Sequence, residues 1–157
     1  MPLHRLSVLI AALWWGGITG LSFVAVPTLF AKLGSPMTAG PVAAQLFSFQ
    51  CWIGLVLGVG LMLVLRRQRA SLSPEGSEQG LSHLRALTWT MALVVLAVLL
   101  AMVQEFGVAR KIVTARATGG DLRLWHSLGF VLVLGQWLCA GGVLWRLAGP
   151  QPRVTQA

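Results

Sequence analysis

The side chains able to do chemistry are few in this chain: four carboxylates (Glu75, Glu78, Glu105, Asp121), three histidines (His4, His83, His126) and two cysteines (Cys51, Cys139). Imidazole ligates haem iron, copper and zinc, so the histidines raise a metal or haem site first. Each cysteine stands alone in an apolar stretch, which points to a small buried hydrophobe and not to a disulfide or zinc site. Four acidic residues leave little material for paired-carboxylate catalysis. No H-E-x-x-H, G-x-S-x-G, Walker, C-x-x-C or dinucleotide pattern occurs. With no nucleophile beside a base, enzymatic activity is not expected.

Composition sets the elements that must position these groups. The chain is 56% hydrophobic and 10% charged, against roughly 25% charged in an ordinary soluble domain. Charged residues are absent from four stretches, 6–31, 33–65, 86–104 and 124–145. Each is long enough for the ~17–25 residues that cross a bilayer as a helix. Hydrocarbon offers the backbone no hydrogen-bond partner, so spans are helices or closed barrels, and the alternation of barrel strands is missing here. The expected fold is all-α: one membrane domain, a four-helix transmembrane bundle with antiparallel up-down topology and both termini on the same side. Spans are expected near 6–30, 42–65, 85–104 and 125–145, with a hairpin at 31–41, a mobile loop at 66–84 and a tail at 147–157.

The net charge of +8 lies at the ends of the apolar stretches. The expected partners are therefore the lipid bilayer and its anionic headgroups, not nucleic acid. The N-terminus, second loop and tail hold seven Lys and Arg against five in the first and third loops, and Arg66, Arg67 and Arg69 abut a span. The positive-inside rule then puts both termini in the cytoplasm of a bacterial-type inner membrane. The first span reads as uncleaved, since it exceeds a ~7–15-residue signal core and no A-x-A site follows it.

This topology separates the histidines. His4 and His83 start spans one and three, whereas His126 opens span four on the far side of ~30 Å of hydrocarbon. Within the spans, Gln136 is expected near the midplane, bonded to another helix, and Gln104 and Glu105 close the outer end of span three. Pro27 cannot donate to the Phe23 carbonyl, so span one should kink or loosen there. Gly16 and Gly20, and Gly54 and Gly58, form G-x-x-x-G pairs expected to pack spans one and two together, a homo-oligomer being the alternative use. Trp89, Trp125 and Trp145 suit an interfacial belt, while Trp14, Trp15, Trp52 and Trp137 should be packing residues deeper in.

The run Trp15-Gly16-Gly17, then Phe23 to Phe30 with Pro27, then Leu46-Phe47 and finally Trp125-His126-Ser127 resembles the transmembrane protein 205-like family of small four-helix membrane proteins. The resemblance implies a membrane location, a four-helix fold and an association with metal-drug tolerance, and its motif positions here are Pro27, Phe30, Phe47 and His126. Phe30 and Phe47 would equally serve as a clasp on the first hairpin. A His before span one, then Trp-Gly-Gly and a Pro with Leu-Phe, is similar at greater distance to the copper-resistance D domain and the HemJ protoporphyrinogen oxidases, which would imply haem-linked redox chemistry.

The resulting expectation is a non-enzymatic membrane protein binding a small ligand, lipid or partner subunit in the outer half of the bundle, near Pro27, Gln104, Glu105, His126 and Gln136. No cofactor is expected. The alternatives are haem- or copper-linked redox or metal handling through His4, His83 or His126, and an oligomeric channel or transporter.

Overall fold

The computed structural model describes residues 2–71 and 78–149. Span one is a single helical rod in three parts: α1 (Pro2–Thr19), a π-helical segment (Gly20–Ala25) and α2 (Val26–Leu33). The loosening falls where Pro27 demands it. With no N–H to return to the Phe23 carbonyl and a ring that crowds that turn, proline favours a widened coil just before it. Gly34, in the left-handed conformation at φ 65°, ends the rod, and a side chain would be strained there.

The first connection is far shorter than the expected 31–41. Ser35 Oγ accepts from the Met37 N–H at 3.2 Å and Pro36 occupies the first turn, so α3 starts at once and runs Pro36–Ala70. Serine at the cap and proline in the first turn are an efficient helix start, which carries the helix through Pro41. At its other end α3 takes in Arg66, Arg67 and Arg69, good helix formers whose stems reach to the interface. Of the loop expected at 66–84, residues 72–77 lie outside the described residues, as do 150–157 of the tail.

Span three comprises α4 (Glu78–Met102), a second π-helical segment (Val103–Ala109) and α5 (Arg110–Thr118). The basic stretch expected as a third loop is thus mostly helix, stopped by Gly119 at φ 74°. Asp121 then caps α6 (Leu122–Ala148), its carboxylate accepting from the Leu124 N–H at 3.1 Å.

Four helices, Leu3–Leu33, Pro36–Ala70, Gly80–Thr118 and Leu122–Ala148, are long and apolar enough to cross a membrane. Neighbours alternate in direction and close into a ring in which span one touches spans two and four, and span three does the same. Ile18, Leu61, Leu65, Val94 and Val143 fill its axis, while Leu13, Val56, Leu99 and Phe130 are exposed on its outer faces. An apolar axis and an apolar exterior together mark an all-α integral membrane protein, since water would not tolerate the second.

Small residues set the span one to span two contact, but from one side only. Trp14, 4% exposed, lies over Gly54 and Gly58. A Cβ at Gly54 would come within 3.0 Å of its indole nitrogen, and one at Gly58 within 2.6 Å of a Val98 methyl. Gly16 and Gly20 face open space instead. At ~100° per residue, Gly16 lies about 200° around the helix from Trp14, so the large residue and not the glycine meets span two. Trp52 departs from its expected place as well, being 52% exposed.

Candidate functional site

Each adjacent pair of helices is joined by a side-chain hydrogen bond near one level of the bundle; spans one and two have another nearer the N-terminal end, where Gln68 Nε2 donates to Ser7 Oγ at 3.3 Å. Spans one and two are linked by Ser22 Oγ donating to Gln50 Oε1 at 3.3 Å. Spans two and three are linked by Ser48 Oγ donating to Glu105 Oε1 at 2.7 Å and by the Cys51 thiol donating to the Ala101 carbonyl at 3.5 Å. Spans three and four are linked by Gln136 Nε2 donating to Gln104 Oε1 at 2.7 Å. Spans four and one are linked by Trp137 Nε1 donating to Thr19 Oγ1 at 2.9 Å, and that hydroxyl donates in turn to the Trp15 carbonyl at 2.8 Å.

The two π-helical segments help build this layer. Ser22 lies in the first, and Gln104 and Glu105 in the second. Shifting the ladder from i→i−4 to i→i−5 turns the following residues around the axis, and π turns of this kind recur at functional sites. Ala101, whose carbonyl takes the Cys51 thiol, lies just before the second segment.

Inside the layer Gln50 and Gln136 are buried, at 9% and 4% exposure. The Gln104–Gln136 pair uses one donor and one acceptor of groups that each offer more. Glu105 differs in kind. It is a carboxylate inside an apolar span, half-buried, and its partner is the neutral Ser48 hydroxyl. Among the described residues it forms no ion pair, so the bond to Arg110, Lys111 or Arg123 that proximity in sequence suggests is not made. Arg110 instead lies over the Phe106 ring at 5.5 Å, and Lys111 over Trp125 at 6.0 Å.

Of the expected site residues, the fold brings Gln104, Glu105 and Gln136 to one level. Pro27 shapes that level from a distance and is itself exposed, as is His126. Phe47 packs against the core, Phe30 is 38% exposed, and among the described residues no ring contact joins them. His4 starts α1 and His83 lies in the first turns of α4, at the bundle end opposite His126. Among the described residues no three of His, Cys, Asp and Glu converge.

Gln50, Ser48, Ser22 and Thr19 were not legible as site residues, though the signal that singles out Gln136 applies equally to Gln50: an amide well inside an uncharged stretch. Two hollows open beside the layer. One, of about 400 Å³, lies between Trp15, Trp137 and Gly141 with Arg146 at its end. The other, of about 550 Å³, runs beside the second π-helical segment. In the first, the Trp15 indole N–H is buried without a partner.

No curated protein and no solved structure is similar enough to this chain to count as a match. The family described as a domain of unknown function (DUF4149) matches residues 9–121, from the second turn of α1 to the cap of α6, and so takes in both π-helical segments, Gln50, Gln104 and Glu105 but leaves out His126 and Gln136. This chain therefore belongs to that family of unknown function.

Proposed function

We propose that this membrane protein is non-enzymatic and holds a small ligand, lipid or partner subunit at the polar layer, through a positive charge or hydrogen-bond donor that engages Glu105. The observation that carries the reading is the carboxylate itself. A charged group at this depth is costly in hydrocarbon and is retained where it meets a partner, and Ser48 supplies one neutral donor to a group with capacity for about four. Gln50, Gln104 and Gln136 offer further amide sites at the same level, to which the π turns bring Ser22, Gln104 and Glu105.

The test is extraction and mass analysis of small molecules co-purifying with the protein in mild detergent. A ligand retained by the wild type and lost from Glu105→Gln, with helix content unchanged, supports the reading; equal retention by both sinks it. The Lys and Arg excess adds the expectation that both termini face the cytoplasm of an inner membrane, which reporter fusions at each end would check.

A second reading is haem- or copper-linked redox chemistry. It draws on the likeness to HemJ and the copper-resistance D domain and on His4 and His83 coming to one end of the bundle. Such a group would rest on that pair, since His126 opens α6 at the other end. An absorption spectrum with metal analysis, on protein from cells supplied with haem precursor and copper, separates the two: a Soret band or near-stoichiometric copper supports the redox reading. The likeness to the transmembrane protein 205-like family is compatible with either, and its motif positions Pro27, Phe30 and Phe47 lie within the matched residues.

A further inference from the structure

We propose that the groove beside the second π-helical segment binds an anionic phospholipid, with the phosphate at Arg110 and Lys111 and an acyl chain running toward Val103. This site is separate from the polar layer and does not depend on it. The groove, of about 550 Å³, is lined by Val103, Phe106, Gly107, Arg110, Lys111 and Trp125 among others.

Three features select the occupant. The first is charge: Arg110 and Lys111 form no ion pair among the described residues and are held at the rim by aromatic faces, Arg110 5.5 Å above Phe106 and Lys111 6.0 Å above Trp125. A cation held over a ring keeps its positive charge available to an anion. The second is the gradient along the groove. From Arg110 to Val103 is seven residues, or roughly 10 Å of helix, so the groove runs from cations at the end nearer the bundle's edge, able to reach a headgroup along their flexible stems, to the apolar Val103, Phe106 and Gly107 further in. Free phosphate would use only the upper part, whereas a phospholipid uses both. The third is the floor: a Cβ on Gly107 would have no neighbour nearer than a Val103 methyl at 4.0 Å, so the glycine leaves space above the helix where a chain can lie. Trp125 at the rim suits the ester level of the leaflet.

The experiment is native mass spectrometry of the full chain in mild detergent with equimolar phosphatidylglycerol and phosphatidylcholine, followed by titration with inorganic phosphate. A basic residue at the membrane surface is worth roughly fivefold in affinity for an anionic lipid, so the two cations predict a preference for phosphatidylglycerol of up to about twenty-five-fold. Arg110→Gln with Lys111→Gln should abolish the preference while keeping some lipid bound. Gly107→Leu, which fills the floor and keeps both charges, should reduce retention of both lipids. Arg146→Gln, at the other end of the bundle, should change nothing. Equal retention of the two lipids by the wild type, an undiminished preference in the charge variant, or loss of preference in Arg146→Gln would overturn the assignment. So would complete displacement of phosphatidylglycerol by millimolar inorganic phosphate, which marks a free-anion site. Helix content of each variant is checked by circular dichroism, and the Gly107 variant stands as the second measurement if the charge variant does not fold.

Discussion

At the scale of the residue, the amide pair Gln104–Gln136 and the carboxylate–hydroxyl pair Ser48–Glu105 are the two shortest links of the polar layer, each at 2.7 Å. Hydrogen bonds between membrane helices are worth about 0.6 kcal/mol on average and about 1.7 kcal/mol at most. A double-mutant cycle with Gln104→Leu and Gln136→Leu, read from unfolding midpoints in detergent, should therefore return a coupling of roughly 1 kcal/mol, stabilising in sign. Removing the Ser48 hydroxyl acts differently, because the carboxylate it serves stays behind: Ser48→Ala should cost more than Glu105→Gln, whose amide still accepts a bond and carries no charge. The reverse order would mean that Glu105 has other compensation. Sequence reasoning reached Glu105, Gln104 and Gln136 by depth alone, and depth does not say which helix face a residue occupies. The cations near Glu105 in sequence, Arg110 and Lys111, accordingly form no ion pair with it among the described residues and lie over Phe106 and Trp125 instead.

At the scale of the element, proline chemistry was readable and its geometric result was not. The missing Pro27 N–H announces a weak point, but kink, water insertion and π turn all answer it, and only tertiary contact selects among them. In Pro27→Ala the restored N–H can close an α turn on the Phe23 carbonyl, so the amides of Val24, Ala25, Val26 and Thr28 should exchange with deuterium more slowly than in the wild type. If they exchange at the same rate, the π segment is imposed by its neighbours and not by the proline. Glycine tells the opposite story. Gly34 ends span one in the left-handed conformation, and Gly34→Ala should destabilise by about 1 kcal/mol because a Cβ is strained there. Helices extend beyond their expected ends where charged residues suggest loops. Arg66, Arg67 and Arg69 in α3, and Arg110 to Arg116 in α5, continue their helices past the hydrocarbon, since Lys and Arg end a span without ending a helix.

For the whole molecule, the sequence made the four-helix bundle plain because the uncharged stretches are long and their number small. The order of helices around the ring follows from side-chain fit that no periodicity reveals. The two G-x-x-x-G pairs show the limit: identical in pattern, one pair receives Trp14 and the other faces outward. Gly58→Ala places a Cβ 2.6 Å from a methyl of Val98, a branched side chain with one good rotamer in a helix, and should cost about 1–3 kcal/mol. Gly20→Ala should be close to neutral in the isolated bundle, as nothing lies within 4 Å of the added atom. Comparing the two unfolding midpoints checks the packing directly. A large penalty at Gly20 that depends on protein concentration would instead locate a second copy of the chain on that face.

The ring of hydrogen bonds also bears on the order in which the protein comes together during synthesis. Span four, the last to leave the ribosome, supplies both Gln136 and Trp137. Until it arrives, spans one to three have the Ser22–Gln50, Gln68–Ser7, Ser48–Glu105 and Cys51–Ala101 links, and Gln104 must wait in the bilayer or its channel with its side-chain amide unanswered. The bundle is therefore a vessel hooped from one side only until its last stave is in place, and a nascent chain stalled before α6 is the form most in need of a chaperone or of the insertion machinery's own polar surface.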